Sequence, residues 1–240
     1  MKNRSWLVVP MSDAVAVERA AQSGADVVVL DMVEFVAEKD KSAARDKLRT
    51  AVERVRAGGA RTFVQTTPAS HEADLRAGVC AALSGVVVSR VESATQLAGM
   101  DAYLSLLEKE RGVAQGTIEF VAALETARGN QEAYEIVTAS PRVRAATLGR
   151  ADLVMDLRPE PSGDLHMMPY LMQRLIIIAR AAGITPLGAW WRAPDRGLLA
   201  SAENMRKAAT RGRAAGFKGA FCLRDEQVEP LNKIYAQESA

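Results

Sequence analysis

Ile118-Glu119-Phe120-Val121-Ala122-Ala123-Leu124-Glu125-Thr126-Ala127-Arg128-Gly129 is the stretch whose reading decides the fold. A mostly apolar run of strand length closes on a carboxylate, and a glycine-marked turn into a helix follows. The same design recurs at Val143-Arg144-Ala145-Ala146-Thr147-Leu148, followed by Gly149-Arg150-Ala151-Asp152. Read as neighbouring parallel strands, the two runs place Glu125 and Asp152 at the same end of a sheet. Two carboxylates so placed form an oxygen-ligand site for a hard divalent cation such as Mg²⁺.

Working outward, the same strand-helix alternation covers the chain. Trp6 to Val9 is an apolar run ended by Pro10, and Ser12-Asp13 offers an N-cap for a helix through about Gln22. Ala25 to Asp31 is the second strand, followed by a loop containing Asp31 and Glu34 and a helix from about Asp40 to Ala57. Arg61 to Thr66 is the third, with a turn at Pro68 and a helix from about Ser70. Gly85 to Ser89 is the fourth, and Ser93 with Gln96 makes a capping-box signal for its helix. Pro186 to Trp191 is the seventh, after an apolar helix from about Met168 to Ala181, and Gly219 to Leu223 is the eighth, leading to a last helix from about Glu226. Eight such units in 240 residues predict a closed parallel (β/α)₈ TIM barrel of the α/β class. The expected organisation is one domain over residues 1–240, with a short C-terminal helix and tail. No Gly-x-Gly-x-x-Gly turn follows the first strand and no Walker-type loop is present, which argues against a dinucleotide fold and a P-loop.

Charge and composition exclude several function classes. The 31 basic and 29 acidic residues nearly balance, so nothing favours nucleic acid as a partner. The basic residues between Arg206 and Lys218 alternate with Ala and Gly, as on a solvated helix face. Two cysteines, Cys80 and Cys222, are too few for a disulfide framework and suit a reducing cytoplasm. Two histidines, His71 and His166, leave little room for His-ligated zinc or a Ser-His-Asp mechanism. The apolar runs are too short for a signal peptide or a membrane span, so a cytoplasmic protein with no membrane partner is expected.

Barrel active sites lie at the C-terminal ends of the strands. Those ends hold Asp31 to Glu34, Gln65 to Thr67, Ser89 to Glu92, Glu125 to Arg128, Gly149 to Asp152, Trp190 to Arg192, and Arg224 with Asp225. A lone carboxylate there is most simply an N-cap or a loop ion pair; Glu125 and Asp152 together point to metal. A metal so held suits a 2-oxo acid, which chelates through its carboxylate and keto oxygens, and suits enolate stabilisation when a carbon-carbon bond breaks. Arg128 falls in the first turn of a helix, placed for an anion or for a structural ion pair. Of Trp190 and Trp191, alternation of side chains allows at most one to face the site.

Several segments taken together resemble the citrate lyase β-subunit and malyl-CoA lyase group of the HpcH/HpaI aldolase superfamily. They are Arg4 to Pro10, Ser23 to Asp31, Val91 to Ala94, Leu124 to Gly129, Ala139 to Val143, and Gln227 to Asn232. The resemblance spans nearly the whole chain. It implies a Mg²⁺-dependent barrel lyase with Glu125 and Asp152 as ligands, assembled as a homo-oligomer, a trimer or a multiple of one.

The departures bear on the substrate. Where the family carries an Arg that holds the oxo-acid carboxylate after the third strand, this chain has Gln65-Thr66-Thr67, and an amide cannot make the bidentate charged pair. The family's Asp-Leu-Glu-Asp appears as Asp31-Met32-Val33-Glu34, its Glu-Asp pair as Ala151-Asp152, and its Ile-His-Pro segment as Leu223-Arg224-Asp225. With few residues after Asn232, the C-terminal lid of the longer malyl-CoA lyases is expected to be missing, which bears on the use of a CoA thioester. Arg150, Arg192 and Arg224 occupy strand ends where the family does not usually place Arg, and Arg90 stands where it often has Lys. This suggests that the substrate anion has moved toward the sixth to eighth strands; ion pairs with loop carboxylates or a neighbouring subunit are the alternative.

The expected function is a Mg²⁺-dependent carbon-carbon lyase, or the reverse aldol or Claisen-type condensation, on a small hydroxy- or oxo-acid or its CoA thioester. Asp31 or Glu34 is expected as general base, with Arg128 beside them in the catalytic group. Arg4, Gln65, Arg90, Arg150, Arg192 and Arg224 are the substrate-binding candidates. The competing expectation is a catalytically reduced barrel serving as a binding or structural subunit of a larger complex.

Overall fold

The computed structural model describes residues 3–149, 164–189 and 202–236. Each apolar run read as a strand is one: β1 (Ser5–Pro10), β2 (Val27–Asp31), β3 (Arg61–Thr66), β4 (Leu83–Val88), β5 (Glu119–Ala123), β6 (Val143–Thr147), β7 (Thr185–Ala189) and β8 (Gly219–Cys222). They pair in sequence order, all parallel, and β8 pairs back onto β1 to close the barrel. The helices of the described residues are α1 (Ala14–Gln22), α2 (Lys41–Ala57), α3 (His71–Gly78), α4 (Ala94–Glu110), α5 (Ala127–Gln131), α6 (Ala133–Thr138), α7 (Asp164–Ala182), α8 (Ala202–Ala215) and α9 (Val228–Ile234). The segment from Glu226 first makes a single 3₁₀ turn (Asp225–Gln227), so the last helix starts two residues later than its sequence suggests.

Local chemistry sets the boundaries. Asp13 caps α1 by accepting from the Val15 and Ala16 N–H groups, each at 3.0 Å. At α4, Ser93 Oγ accepts from Gln96 N–H while Gln96 Oε1 accepts from Glu92 N–H, so the capping pair closes one residue wider than the usual box. Between α5 and α6 the chain breaks at Glu132, which leaves α5 only 5 residues long.

Side-chain alternation divides the core in two. Alternate strand residues such as Leu7, Val28, Val64 and Val86 face the helices. The others fill the barrel, with large rings on one side and small residues on the other. Trp6 packs edge-on to Phe63 at 4.8 Å between centroids and lies 5.4 Å from Phe221, which fills the β1, β3 and β8 side. A Cβ on Gly85 would lie 2.6 Å from Phe63 Cζ, so the absent side chain at 85 is what admits that ring. Across the barrel, β5 and β6 contribute the smaller residues Val121, Ala123 and Ala145 to the interior cluster, and Thr147 pairs with Ala123.

The N-terminal end of the barrel is locked by ion pairs. Arg142, just before β6, donates to Asp101 Oδ1 at 2.5 Å, Glu108 Oε1 at 2.8 Å, Glu108 Oε2 at 2.6 Å and the Ile118 carbonyl at 3.1 Å. This ties α4 to the starts of β5 and β6. The bonds from Arg142, Gly116 N–H and Ile118 N–H outweigh burial and hold the Glu108 carboxyl below its ordinary range.

Candidate active site at the C-terminal mouth of the barrel

Glu125 stands two residues beyond β5, at the mouth, and is 7% exposed. Its position is fixed from two sides. On the β4 side its Oε2 accepts the backbone N–H of Arg90 at 2.9 Å. Arg90 adopts a left-handed backbone, φ 55°, unlike every other described non-glycine residue. That conformation costs about 1–2 kcal/mol in a residue with a Cβ. On the β6 side, a Cβ on Gly149 would lie 2.5 Å from Glu125 Oε1 and 2.6 Å from its Cδ. The carboxylate therefore reaches across to Gly149, two residues beyond β6, and Asp152 follows three residues after that glycine.

Gln65 and Ser89 form the adjoining wall. Gln65 is inward-facing at the end of β3, 8% exposed, and its Nε2 donates to the buried Ser89 Oγ at 2.8 Å. The Gln65 amide is thus committed to a neutral partner.

Asp31 ends β2 and is fully buried. Its Oδ1 accepts from Val33 N–H at 3.1 Å and Glu34 N–H at 3.2 Å, and its Oδ2 from Phe35 N–H at 2.7 Å. Burial raises its carboxyl above the ordinary range, against these three bonds and the charge of Lys41. The geometry is that of a loop brace. Glu34, on the loop so braced, is exposed at the mouth. Arg128 is exposed in the first turn of the short α5. Arg224 follows β8, is 51% exposed and pairs with Glu226 at 3.4 Å.

Arg4 does not join this group. It precedes β1, at the opposite end of the barrel, where its Nε and Nη2 donate to Asp26 at 2.7 and 2.8 Å and its Nη1 to the Asn232 carbonyl at 3.2 Å. From there it cannot touch a substrate seated at the mouth; it clamps β1 to the segment before β2 and to α9. Its place among the substrate-binding candidates is corrected accordingly. Asp152, Arg150 and Arg192, with Trp190 and Trp191, lie outside the described residues.

Sequence reasoning assigned three residues at the mouth no role of this kind: Ser89, the partner of Gln65; Gly149, read only as a turn glycine and in fact the gap that Glu125 fills; and Thr147. Thr147 ends β6, is 5% exposed, and its Oγ1 is buried with no hydrogen-bond partner among the described residues. Strand parity was the available signal, since counting by twos from the inward residues Val87 and Ala145 arrives at Ser89, Thr147 and Gly149.

Among the described residues no group of three His, Cys, Asp or Glu side chains is gathered to hold a metal. The sequence expectation of Glu125 with Asp152 as ligands has only its Glu125 half among the described residues. The described half fits a hard cation: a buried carboxylate, anchored through one oxygen, with the other turned toward the strand that leads to the second carboxylate.

The family described as HpcH/HpaI aldolase/citrate lyase matches residues 4–224. The citrate lyase subunit beta of Leuconostoc mesenteroides subsp. cremoris is 27% identical over 97% of this chain and 76% of its own length. The L-malyl-CoA/beta-methylmalyl-CoA lyase of Cereibacter sphaeroides is also 27% identical, over 97% of this chain and 79% of its own. Among solved structures, CitE from Mycobacterium tuberculosis in complex with magnesium and acetoacetate superposes with a TM-score of 0.72 and 26% identity, covering 98% of this chain and 90% of that one. Haloferax volcanii malate synthase, with a TM-score of 0.82 at 18% identity over 98% of this chain and 73% of its own, shares the fold. No helix of the described residues is long and apolar enough to cross a membrane.

Proposed function

The chain belongs to the HpcH/HpaI aldolase/citrate lyase family, and from that premise we propose that it is a divalent-metal-dependent carbon-carbon lyase. Its substrate is a small hydroxy- or oxo-acid, free or as the CoA thioester, and the reaction also runs as a condensation. The observation that carries this reading is the seating of Glu125: buried, fixed through Oε2 by the Arg90 N–H, and turned through Oε1 toward the end of β6.

Glu125 and Asp152 would hold the cation, Mg²⁺ by the chemistry of the donors. When bound, it would supply the positive charge that stabilises an enolate developing on the substrate. The protein's own part is positioning. Burial of Glu125 keeps water from competing for its carboxylate. Gln65 and Ser89 line the wall with neutral groups, and Arg90 and Arg224 add positive charge at the rim. Asp31 holds the loop that carries Glu34, and Glu34 would exchange a proton with the substrate carbon next to the carbonyl. Assembly into a homo-oligomer belongs to the same reading.

A second reading, a binding subunit without turnover, draws on one observation: Gln65 is spent on Ser89 where a charged anion clamp is expected. One assay separates the two. The protein is incubated with Mg²⁺ and malyl-CoA, the substrate class in the name of its C. sphaeroides relative, and released oxo acid is trapped as the phenylhydrazone. Turnover that Glu125→Gln abolishes supports the lyase. Failure with malyl-CoA, and likewise with citrate, malate and the condensation of acetyl-CoA with glyoxylate, favours the binding subunit.

A further inference from the structure

Ser89, Ala123 and Thr147 stand side by side across β4, β5 and β6 at one level of the barrel. Ala123 pairs with Thr147, and the Val88 to Ala122 pairing sets Ser89 beside Ala123. All three face the interior, one step below Glu125 and Gly149. With strands about 4.8 Å apart, the outer two backbones are about 10 Å apart, and the methyl of Ala123 leaves the space between the two hydroxyls open.

The two hydroxyls differ in their bonding. Ser89 Oγ accepts from Gln65 Nε2 at 2.8 Å, which orients it and leaves its own hydrogen to donate. Thr147 Oγ1 is buried with no partner among the described residues. Leaving a buried hydroxyl unsatisfied costs free energy that a valine of the same shape would avoid. Its neighbours in the row, Ala123 and Leu187, offer it no side-chain acceptor.

We propose that Thr147 is a substrate-anchoring residue, its hydroxyl donating to a carboxylate oxygen of the small acid that sits over β5 and β6. Ser89 supplies the second donor across Ala123. The inference rests on the reading of the mouth as a small-acid site and adds a residue and a recognition mode to it. A neutral pair of hydroxyls takes over the carboxylate, where Gln65 cannot provide a guanidinium. Ala123 limits the fit to a slim acid, because a larger substrate group would collide with the strand between the two hydroxyls.

The test is calorimetric titration of pyruvate into the Mg²⁺-loaded protein and two variants. Thr147→Val keeps the shape and removes the hydroxyl; Thr147→Ser keeps the hydroxyl. The expected result is pyruvate affinity about tenfold weaker in Thr147→Val and near wild type in Thr147→Ser. The acid-free Thr147→Val protein is expected to unfold no earlier than wild type, since the removed group has no partner among the described residues. Equal pyruvate affinity in wild type and Thr147→Val overturns the proposal, assigning the hydroxyl to solvent; so does an equal loss in both variants, which assigns the effect to packing. Absence of pyruvate binding to the wild-type protein overturns the small-acid reading itself, and this inference with it.

Discussion

The carboxylate of Glu125 fills the space in which any residue but glycine at position 149 would carry its Cβ, which would lie 2.6 Å from Glu125 Cδ. Two strand ends are thereby coupled: β6 must be bare at 149 for the carboxylate of β5 to lie across it. Gly149→Ala is expected to push Glu125 aside and weaken Mg²⁺ binding by about 10- to 100-fold, the range seen when a ligand's support is removed. Titration of Mg²⁺ into the variant checks this, with circular dichroism to confirm that the barrel is retained.

Arg90 separates a backbone role from a side-chain role. Its N–H holds Glu125 Oε2 and its φ of 55° suits glycine better than arginine. Arg90→Gly keeps that N–H and relieves the backbone, so stability should stay within about 1 kcal/mol of wild type once the entropy cost of glycine is set against the relief. Mg²⁺ affinity should be unchanged while substrate affinity falls. A parallel loss of both would place the arginine side chain in the support of Glu125 instead.

Asp31 offers a second such separation. Its three accepted N–H bonds make it a brace of the loop bearing Glu34. Asp31→Ala is expected to cost about 1–3 kcal/mol in unfolding free energy, because those donors lose their acceptor. Glu34→Gln should lower turnover with little change in stability. A general base at Asp31 would reverse the pattern, with Asp31→Asn removing turnover and sparing the fold.

The pH dependence of stability follows from Glu108. Its folded carboxyl is held below the ordinary value, so it binds fewer protons folded than unfolded as pH falls. Its contribution is therefore present above the unfolded carboxylate range and is lost as pH drops through that range toward the lower folded value. Glu108→Gln should cost about 3 kcal/mol at neutral pH, since Arg142 keeps Asp101 but loses its buried bidentate partner. Denaturant unfolding of both proteins between neutral and acid pH should show the two curves converging on the acid side.

Much of the barrel was legible because its strands are continuous apolar runs bounded by glycine, proline and capping residues. The position of Glu125 at the barrel mouth was legible because it ends such a run. The rest of the mouth was obscured by what a linear pattern does not carry. Asp31 looks like a candidate base in sequence, but the turn of Val33 to Phe35 wraps three N–H groups onto it. Arg4 belongs to a segment shared with the family, yet only the chain direction of β1 shows that it lies at the far end. Thr147 is one of several hydroxyls near strand ends, and it stands out only when its neighbours across the barrel are known.

The most direct test of the central claim is titration of Mg²⁺, in the presence of pyruvate, into wild type, Glu125→Gln and Asp152→Asn. A metal held between the ends of β5 and β6 predicts Mg²⁺ binding by wild type, acid binding that depends on the metal, and loss of both in either variant. Mg²⁺ binding that is absent from wild type, or indifferent to Glu125→Gln, would contradict the account.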